Sequence, residues 1–140
     1  MIKIFGDTSD IEAIRELDKN PLIKGFTTNP TLMNKAGVKD YEKFCKEVLS
    51  ITKKPVSFEV FADEFDEMER QARIISSWGE NVYVKIPITN TKGESSVRLI
   101  NRLTQMGIKI NATAVTQRDQ YINIIPFAPL IVSIFAGRIA

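Results

Sequence analysis

The chain has 140 residues, 44% hydrophobic and 26% charged, which is enough for one soluble globular domain with a real core. Nineteen Lys and Arg against seventeen Asp and Glu leave a net charge of +2, scattered rather than gathered into a stripe, so nucleic acid is excluded as a partner while small anionic ligands are not. No histidine and a single cysteine, Cys45, exclude Ser-His triads, most zinc sites and an internal disulfide. Acid and base chemistry falls to carboxylates, lysine, hydroxyls and water. No charged leader precedes an apolar stretch and no run of eighteen apolar residues occurs, which leads us to expect a cytoplasmic protein with no membrane partner.

Ile2 to Gly6 reads as a first strand, followed by Asp7 of "GDTSD" and by a helix in "SDIEAIRELDKN", which has a Ser/Asp start and Glu12 in its first turn. Ile23 to Thr27 is a second strand, running into "GFTTNPTL". The helix in "KDYEKFCKEVLSIT" then sets Tyr41, Phe44, Val48 and Leu49 on one face. Val56 to Val60 follows as a third strand and carries Glu59 between apolar neighbours; the next helix, in "DEFDEMERQARIISSW", opens with acids as the helix dipole prefers. The fourth strand, Val82 to Ile86 within "NVYVKIPI", carries Lys85 between Val84 and Ile86. A helix in "SSVRLINRLTQMG" ends at Gly107, where a C-terminal glycine cap belongs. Ile108 to Ala112 is a fifth strand, "QRDQYINII" a weaker fifth helix, and Leu130 to Ile134 a sixth strand.

Strands alternating with amphipathic helices predict a parallel sheet of βα units in a single domain over residues 1–140. No Gly-rich phosphate loop follows the first strand, so a (β/α)8 barrel is expected over a doubly wound sheet, with the chain covering about the first six strands. Function in such barrels gathers where strands end, and every strand here ends in polar residues: Asp7, Asn29, Glu59, Lys85, Asn111 with Thr113, and Ser133. Period-2 alternation pairs Asn111 with Thr113, and Ser133 with Phe135, on common faces. Asp7 could instead cap the next helix, Asn29 before Pro30 could set a turn, and Thr113 could fill a strand. Glu59 and Lys85 resist such readings, because a charge flanked by apolar residues costs several kcal/mol to bury unless it is paired. One amine, two carboxylates, amides and hydroxyls at a common mouth suit carbonyl chemistry through a Schiff base.

"GDTSD", "GFTTNPTL", "FEV", "VKIP", "INATAV" and "VSIFAGRIA" stand in the order of the signature segments of the small transaldolase and fructose-6-phosphate aldolase family, which the chain resembles from Asp7 to its last residue. The resemblance implies a class I aldolase barrel that needs no cofactor and no metal, since the lysine serves as electron sink. Lys85 would form the Schiff base with a ketose phosphate. Glu59 and Thr113 would hold the water that passes protons, and Asp7 would exchange the proton of the hydroxyl at the breaking bond. Thr28, Asn29 and Asn111 would bind the three-carbon unit, Ser133 and Phe135 would line the pocket, and Arg138 would take the substrate phosphate, a role that a guanidinium fork suits.

Family members that run the simple aldol reaction tend to have glutamine in place of Glu59 and tyrosine in place of Phe135, so this chain resembles the transaldolase side. The activity that this resemblance implies is transfer of a dihydroxyacetone unit between sugar phosphates, as in the pentose phosphate pathway. A fructose-6-phosphate aldolase is the alternative, and a non-catalytic sugar-phosphate-binding barrel fragment is a second. Gly6, Ala112 after Asn111, and Ala136 depart from the family's usual residues. A closed barrel takes roughly 200 residues or more, so the sequence is expected to be either truncated or a natural short form. Exposed first and sixth strand edges, together with the resemblance, lead us to expect a homo-oligomer.

Overall fold

A computed structural model describes residues 2–127, 129 and 131–135. The six strands are β1 (Ile4–Asp7), β2 (Ile23–Thr27), β3 (Val56–Glu59), β4 (Val82–Pro87), β5 (Ile110–Val115) and β6 (Ile131–Ile134). They form one sheet in sequence order, β1-β2-β3-β4-β5-β6, and every neighbouring pair is parallel. The helices between them are α1 (Ile11–Asp18), α2 (Pro30–Lys35), α3 (Tyr41–Ile51), α4 (Phe65–Ser76), α5 (Val97–Gln105) and α6 (Arg118–Ile124), the last running into a 3-10 turn over Ile125–Phe127. A parallel sheet whose spatial order equals its sequence order is singly wound. It is the arrangement of a partial (β/α)8 barrel rather than of a doubly wound sheet, whose order reverses at a switch point.

Local chemistry sets the helix boundaries. Asp10 accepts hydrogen bonds from the backbone N–H of Glu12 and Ala13 at the start of α1, and Asp40 accepts one from Lys43 at the start of α3. Gly107, at φ +81°, closes α5: its N–H donates to the Thr104 carbonyl while Ile108 N–H donates to Leu103, satisfying two carbonyls that the helix leaves orphaned. The short helix α2 is not predicted by the sequence pattern. It carries Asn29 as N-cap and Pro30 at its first position, and it ends in the same double hydrogen bond at Gly37, φ +72°.

Alternation along the strands sorts the residues into two faces. Phe26, Val56, Phe58, Val82, Val84, Ile86, Ile110 and Ala112 are buried and join Ile14, Phe44, Val48, Met68, Ile75, Leu99, Ile100 and Leu103 of the helices in one core. Burying each large apolar side chain there contributes about 1.5–3 kcal/mol. The opposite face carries Asp7, Thr27, Ser57, Glu59, Lys85, Asn111, Thr113 and Ser133 and is concave. Hydrogen bonds reach across it between strands two apart, from Asn111 on β5 to Ser57 on β3 at 3.1 Å, although such strands lie roughly 9–10 Å apart in the hydrogen-bonding direction. A cavity of about 740 Å³ on this side is lined by residues that include Phe5, Thr27, Tyr83, Asn111, Ile131 and Ser133.

Two strands, β1 and β5, depart by two residues or more from the bounds the sequence predicts. β1 begins at Ile4 instead of Ile2, which is 90% exposed and pairs with nothing on β2. β5 begins at Ile110 and runs on to Val115: Thr113 pairs with Pro87 of β4, and a register slip against β6 lets Val115 pair with Ile134. The unusual Gly6 is explained by packing: an added Cβ would lie 3.1 Å from Phe26 and 3.2 Å from Leu17, so those side chains already fill its space. Gly25 is tighter still, since a Cβ there would come within 2.6 Å of the Phe5 ring and 2.7 Å of the Pro55 carbonyl oxygen. Phe5 can turn aside but the carbonyl cannot, so Gly25→Ala is expected to lower stability by about 1–3 kcal/mol, read as a lower midpoint in chemical denaturation. An unchanged midpoint would show that the approach of β2 to the Pro55 carbonyl is looser than this packing.

Candidate active site

Lys85 is delivered to the concave face by β4, and only 4% of its surface is exposed. Its Nζ donates to the Thr28 carbonyl at 2.9 Å, past the intervening strand β3, and lies 3.4 Å from Glu59 Oε2 on that strand, where Glu59 and Lys85 stand in register. Burial raises the Glu59 carboxyl above its ordinary value of 4.5; the Lys85 charge and hydrogen bond pull it back, and the Asp7 charge pushes it up again. Glu59 is thus poised to hold a proton that an exposed glutamate would release.

On the β1 side, Asp7 accepts a hydrogen bond from the Thr27 hydroxyl at 2.7 Å. On the β5 and β6 side, Asn111 is fully buried and stands beside Lys85 in register. Its Nδ2 donates to Ser57 Oγ, and its Oδ1 accepts from Ser133 Oγ at 2.7 Å. Thr113 is fully buried, and its hydroxyl has no hydrogen-bond partner among the described residues. Thr28 is also buried, its hydroxyl donating to the Ser57 carbonyl at 3.2 Å. Asn29 sits beyond β2, where its Oδ1 caps α2 by accepting from Leu32 N–H at 2.9 Å; the turn-setting reading of this residue therefore holds alongside any role at the mouth. Asp7 does not cap α1, since Asp10 does. Phe135 follows β6, its N–H bonded to the Val115 carbonyl. Arg138, like Ala136, lies outside the described residues.

Nine of the site residues expected from sequence are described, and the fold gathers them at one end of the sheet. Three further residues support them. Thr27 and Ser57 share a face with Asp7 and Glu59 by strict alternation, so a period-2 signal for both is present in the sequence. Tyr41 carries no such signal. Phe26 N–H donates to the Pro55 carbonyl and Thr28 N–H to the Ser57 carbonyl, so the next donor in this ladder would be residue 30, a proline with no N–H. The Tyr41 hydroxyl takes that place, donating to the Glu59 carbonyl at 2.7 Å from helix α3, with its ring packed edge-on against Phe61 and Trp78. At the rim, Asp63 accepts from both the N–H and the hydroxyl of Thr91 at 2.7 Å, tying the loop after β3 to the loop after β4; these bonds hold its carboxyl below its ordinary range.

Among the described residues no cluster of three or more metal-ligating side chains occurs, and no helix is long and apolar enough to cross a membrane. The arrangement can do carbonyl chemistry. A buried amine sits beside a carboxyl whose affinity for a proton is raised, amides and hydroxyls surround them, and the group lies toward the C-terminal ends of the strands, where barrel chemistry is found.

Comparison with known proteins agrees with this layout. The solved structure of a mandelate oxidase variant with benzaldehyde superposes on 94% of this chain and 47% of its own with a TM-score of 0.53 at 9% identity, a likeness of fold alone. A probable transaldolase 2 of Listeria monocytogenes is 37% identical over 138 residues, covering 99% of this chain and 61% of that protein. A probable transaldolase of Streptococcus agalactiae is 36% identical, covering 99% of this chain and 62% of its own length, and one of Methanococcus vannielii is equally similar. The chain thus spans about three fifths of the length of the curated relatives it matches. The family model for transaldolase/fructose-6-phosphate aldolase matches residues 4–140. With a polar-lined parallel sheet, a buried lysine at the end of its fourth strand and a family match over nearly its whole length, the chain belongs to the transaldolase/fructose-6-phosphate aldolase family.

Proposed function

We propose that the chain carries the imine-forming half of a transaldolase, which moves a dihydroxyacetone unit from a ketose phosphate to an aldose phosphate, a reaction of the pentose phosphate pathway. The observation that carries this reading is the buried Lys85 amine with Glu59 at 3.4 Å. Passing one proton from the ammonium to the carboxylate leaves a neutral amine, which attacks the ketose C2 carbonyl. Loss of water then gives an iminium ion at C2, with Glu59 and Thr113 handling the protons of the carbinolamine. Asp7 takes the proton of the C4 hydroxyl and the C3–C4 bond breaks. The aldehyde leaves, and the electron pair comes to rest on the Lys85 nitrogen as an enamine. An acceptor aldehyde then repeats the steps in reverse, and water releases the new ketose and restores the amine.

Asn111, fixed between Ser57 and Ser133, and Asn29 would hydrogen-bond the three-carbon unit; Thr28 would lend its carbonyl to Lys85; Arg138 would take the phosphate. Phe135 favours transfer over simple aldol cleavage, because it lacks the hydroxyl with which a tyrosine could protonate the enamine before the acceptor arrives, and Glu59 resembles the transaldolase side of the family. The deciding experiment is borohydride reduction of the chain with fructose 6-phosphate, followed by peptide mapping. A reduced adduct on Lys85 is expected; none at saturating sugar phosphate would leave a binding barrel without imine chemistry.

A further inference from the structure

Ala114 is the sole non-glycine among the described residues with a positive φ, at 59°. A residue with a Cβ rarely adopts this conformation, and such outliers persist only where the surrounding structure enforces them. It lies where the pairing of β5 and β6 slips: Ala112 pairs with Val132 and Val115 with Ile134, so Thr113 and Ala114 together stand opposite Ser133. Two residues against one make a β-bulge, which re-aims the side chains that come after it.

The consequence falls on Val115. Asn111 and Thr113 face the concave side, so regular alternation would aim Val115 at the same side, at the mouth just beyond Thr113. Val115 is instead 1% exposed and a member of the hydrophobic core. Thr113 keeps a buried hydroxyl with no protein partner among the described residues beside the active-site face, and Ser133 stays in reach of Asn111 at 2.7 Å. We infer that Ala114 is a positioning residue: its left-handed backbone holds a bulge that keeps Thr113 and Ser133 side by side at the site while turning the Val115 side chain out of the mouth through which the sugar phosphate enters. The inference rests on Lys85 as the imine-forming residue.

Glycine accepts this φ freely and a β-branched residue does not, so two substitutions bracket the effect. Ala114→Gly is expected to retain parental borohydride trapping of fructose 6-phosphate on Lys85. Ala114→Val flattens the bulge, sends Val115 into the mouth, and slows trapping about tenfold or more. Adding Val115→Ala to Ala114→Val should then restore most of the lost rate. A purely structural bulge predicts the reverse, since trimming a core side chain compounds the damage.

Parental trapping in Ala114→Val, or no recovery in the double variant, would overturn the inference. Should Ala114→Val not fold, Val115→Cys in the parent chain decides. Its thiol should react with a maleimide no faster than buried Cys45, whereas fast labelling blocked by fructose 6-phosphate would place residue 115 in the mouth and refute the bulge. A parent chain that traps nothing would remove the imine reading, while the labelling result would still stand for or against the bulge.

Discussion

Lys85→Met is expected to abolish the borohydride-stable adduct with fructose 6-phosphate altogether, the largest effect on activity that the site allows. Methionine keeps the unbranched stem and most of the volume, so the packing against β3 and β5 survives and the nucleophile alone is lost. Removing one partner of a buried ion pair commonly costs about 3–5 kcal/mol, because the other charge is left uncompensated. Here the cost should fall below that range: Glu59 already favours its proton through burial and retains 17% side-chain exposure, so it can neutralise itself. Lys85→Arg should fail just as completely, since a guanidinium stays protonated and cannot attack a carbonyl. Intact mass after reduction, with peptide mapping, reads the result. Lys109 is the internal comparison: it sits at the opposite end of the sheet, stacked 5.7 Å from the Tyr83 ring and bonded to the Glu80 carbonyl. An adduct that persists in Lys85→Met, or maps to Lys109, would make Lys85 a structural lysine.

The fold is legible in the sequence because periodicity and punctuation agree. β2 matches its expected bounds, β3 and β4 come within one residue at an end, and Gly107 marks the end of α5 as a glycine cap does. The departures have separate physical causes. α2 is a six-residue helix, too short for a periodic apolar face, and only Asn29, Pro30 and Gly37 betray its ends. β5 outruns its expected end because Thr113 pairs with β4 and a bulge carries the ladder against β6 on to Val115, and an alanine in left-handed conformation leaves no mark in composition. The same division runs through the site. Residues that face it by strand alternation, from Asp7 to Ser133, can be found by reading strand ends. Tyr41 reaches the Glu59 carbonyl from a helix eighteen residues away in sequence, filling a gap in hydrogen bonding left by Pro30, and that is visible only in three dimensions.

Glu59→Gln should lower transfer between sugar phosphates on the order of 10²-fold, the lower end of what a positioned proton donor contributes, while aldol cleavage without an acceptor falls less or rises. Glutamine keeps the shape and can still meet Lys85, but it cannot accept the proton that frees the amine. Unchanged transfer would count against a proton role, and equal loss of both activities would place that role in imine formation, which the two reactions share. The same variant gives a signature in stability. Burial raises the native Glu59 carboxyl above its ordinary 4.5, so the native state binds this proton more tightly than the unfolded chain. The resulting stability is fully present below pH 4.5 and is lost as pH rises from there through the native value. Asp63, Glu67 and Glu69 act in the opposite sense: hydrogen bonds from Thr91, Arg70 and Arg73 lower them, so their contribution is present above the unfolded values and lost as pH falls through the native ones. These groups are common to parent and variant. The difference between the two pH–stability curves therefore isolates Glu59, and chemical denaturation at a series of pH values should show the parent losing stability relative to Glu59→Gln as pH climbs above 4.5. A flat difference curve would mean that Lys85 offsets the burial of Glu59 in full and that the carboxyl carries no stored preference for its proton.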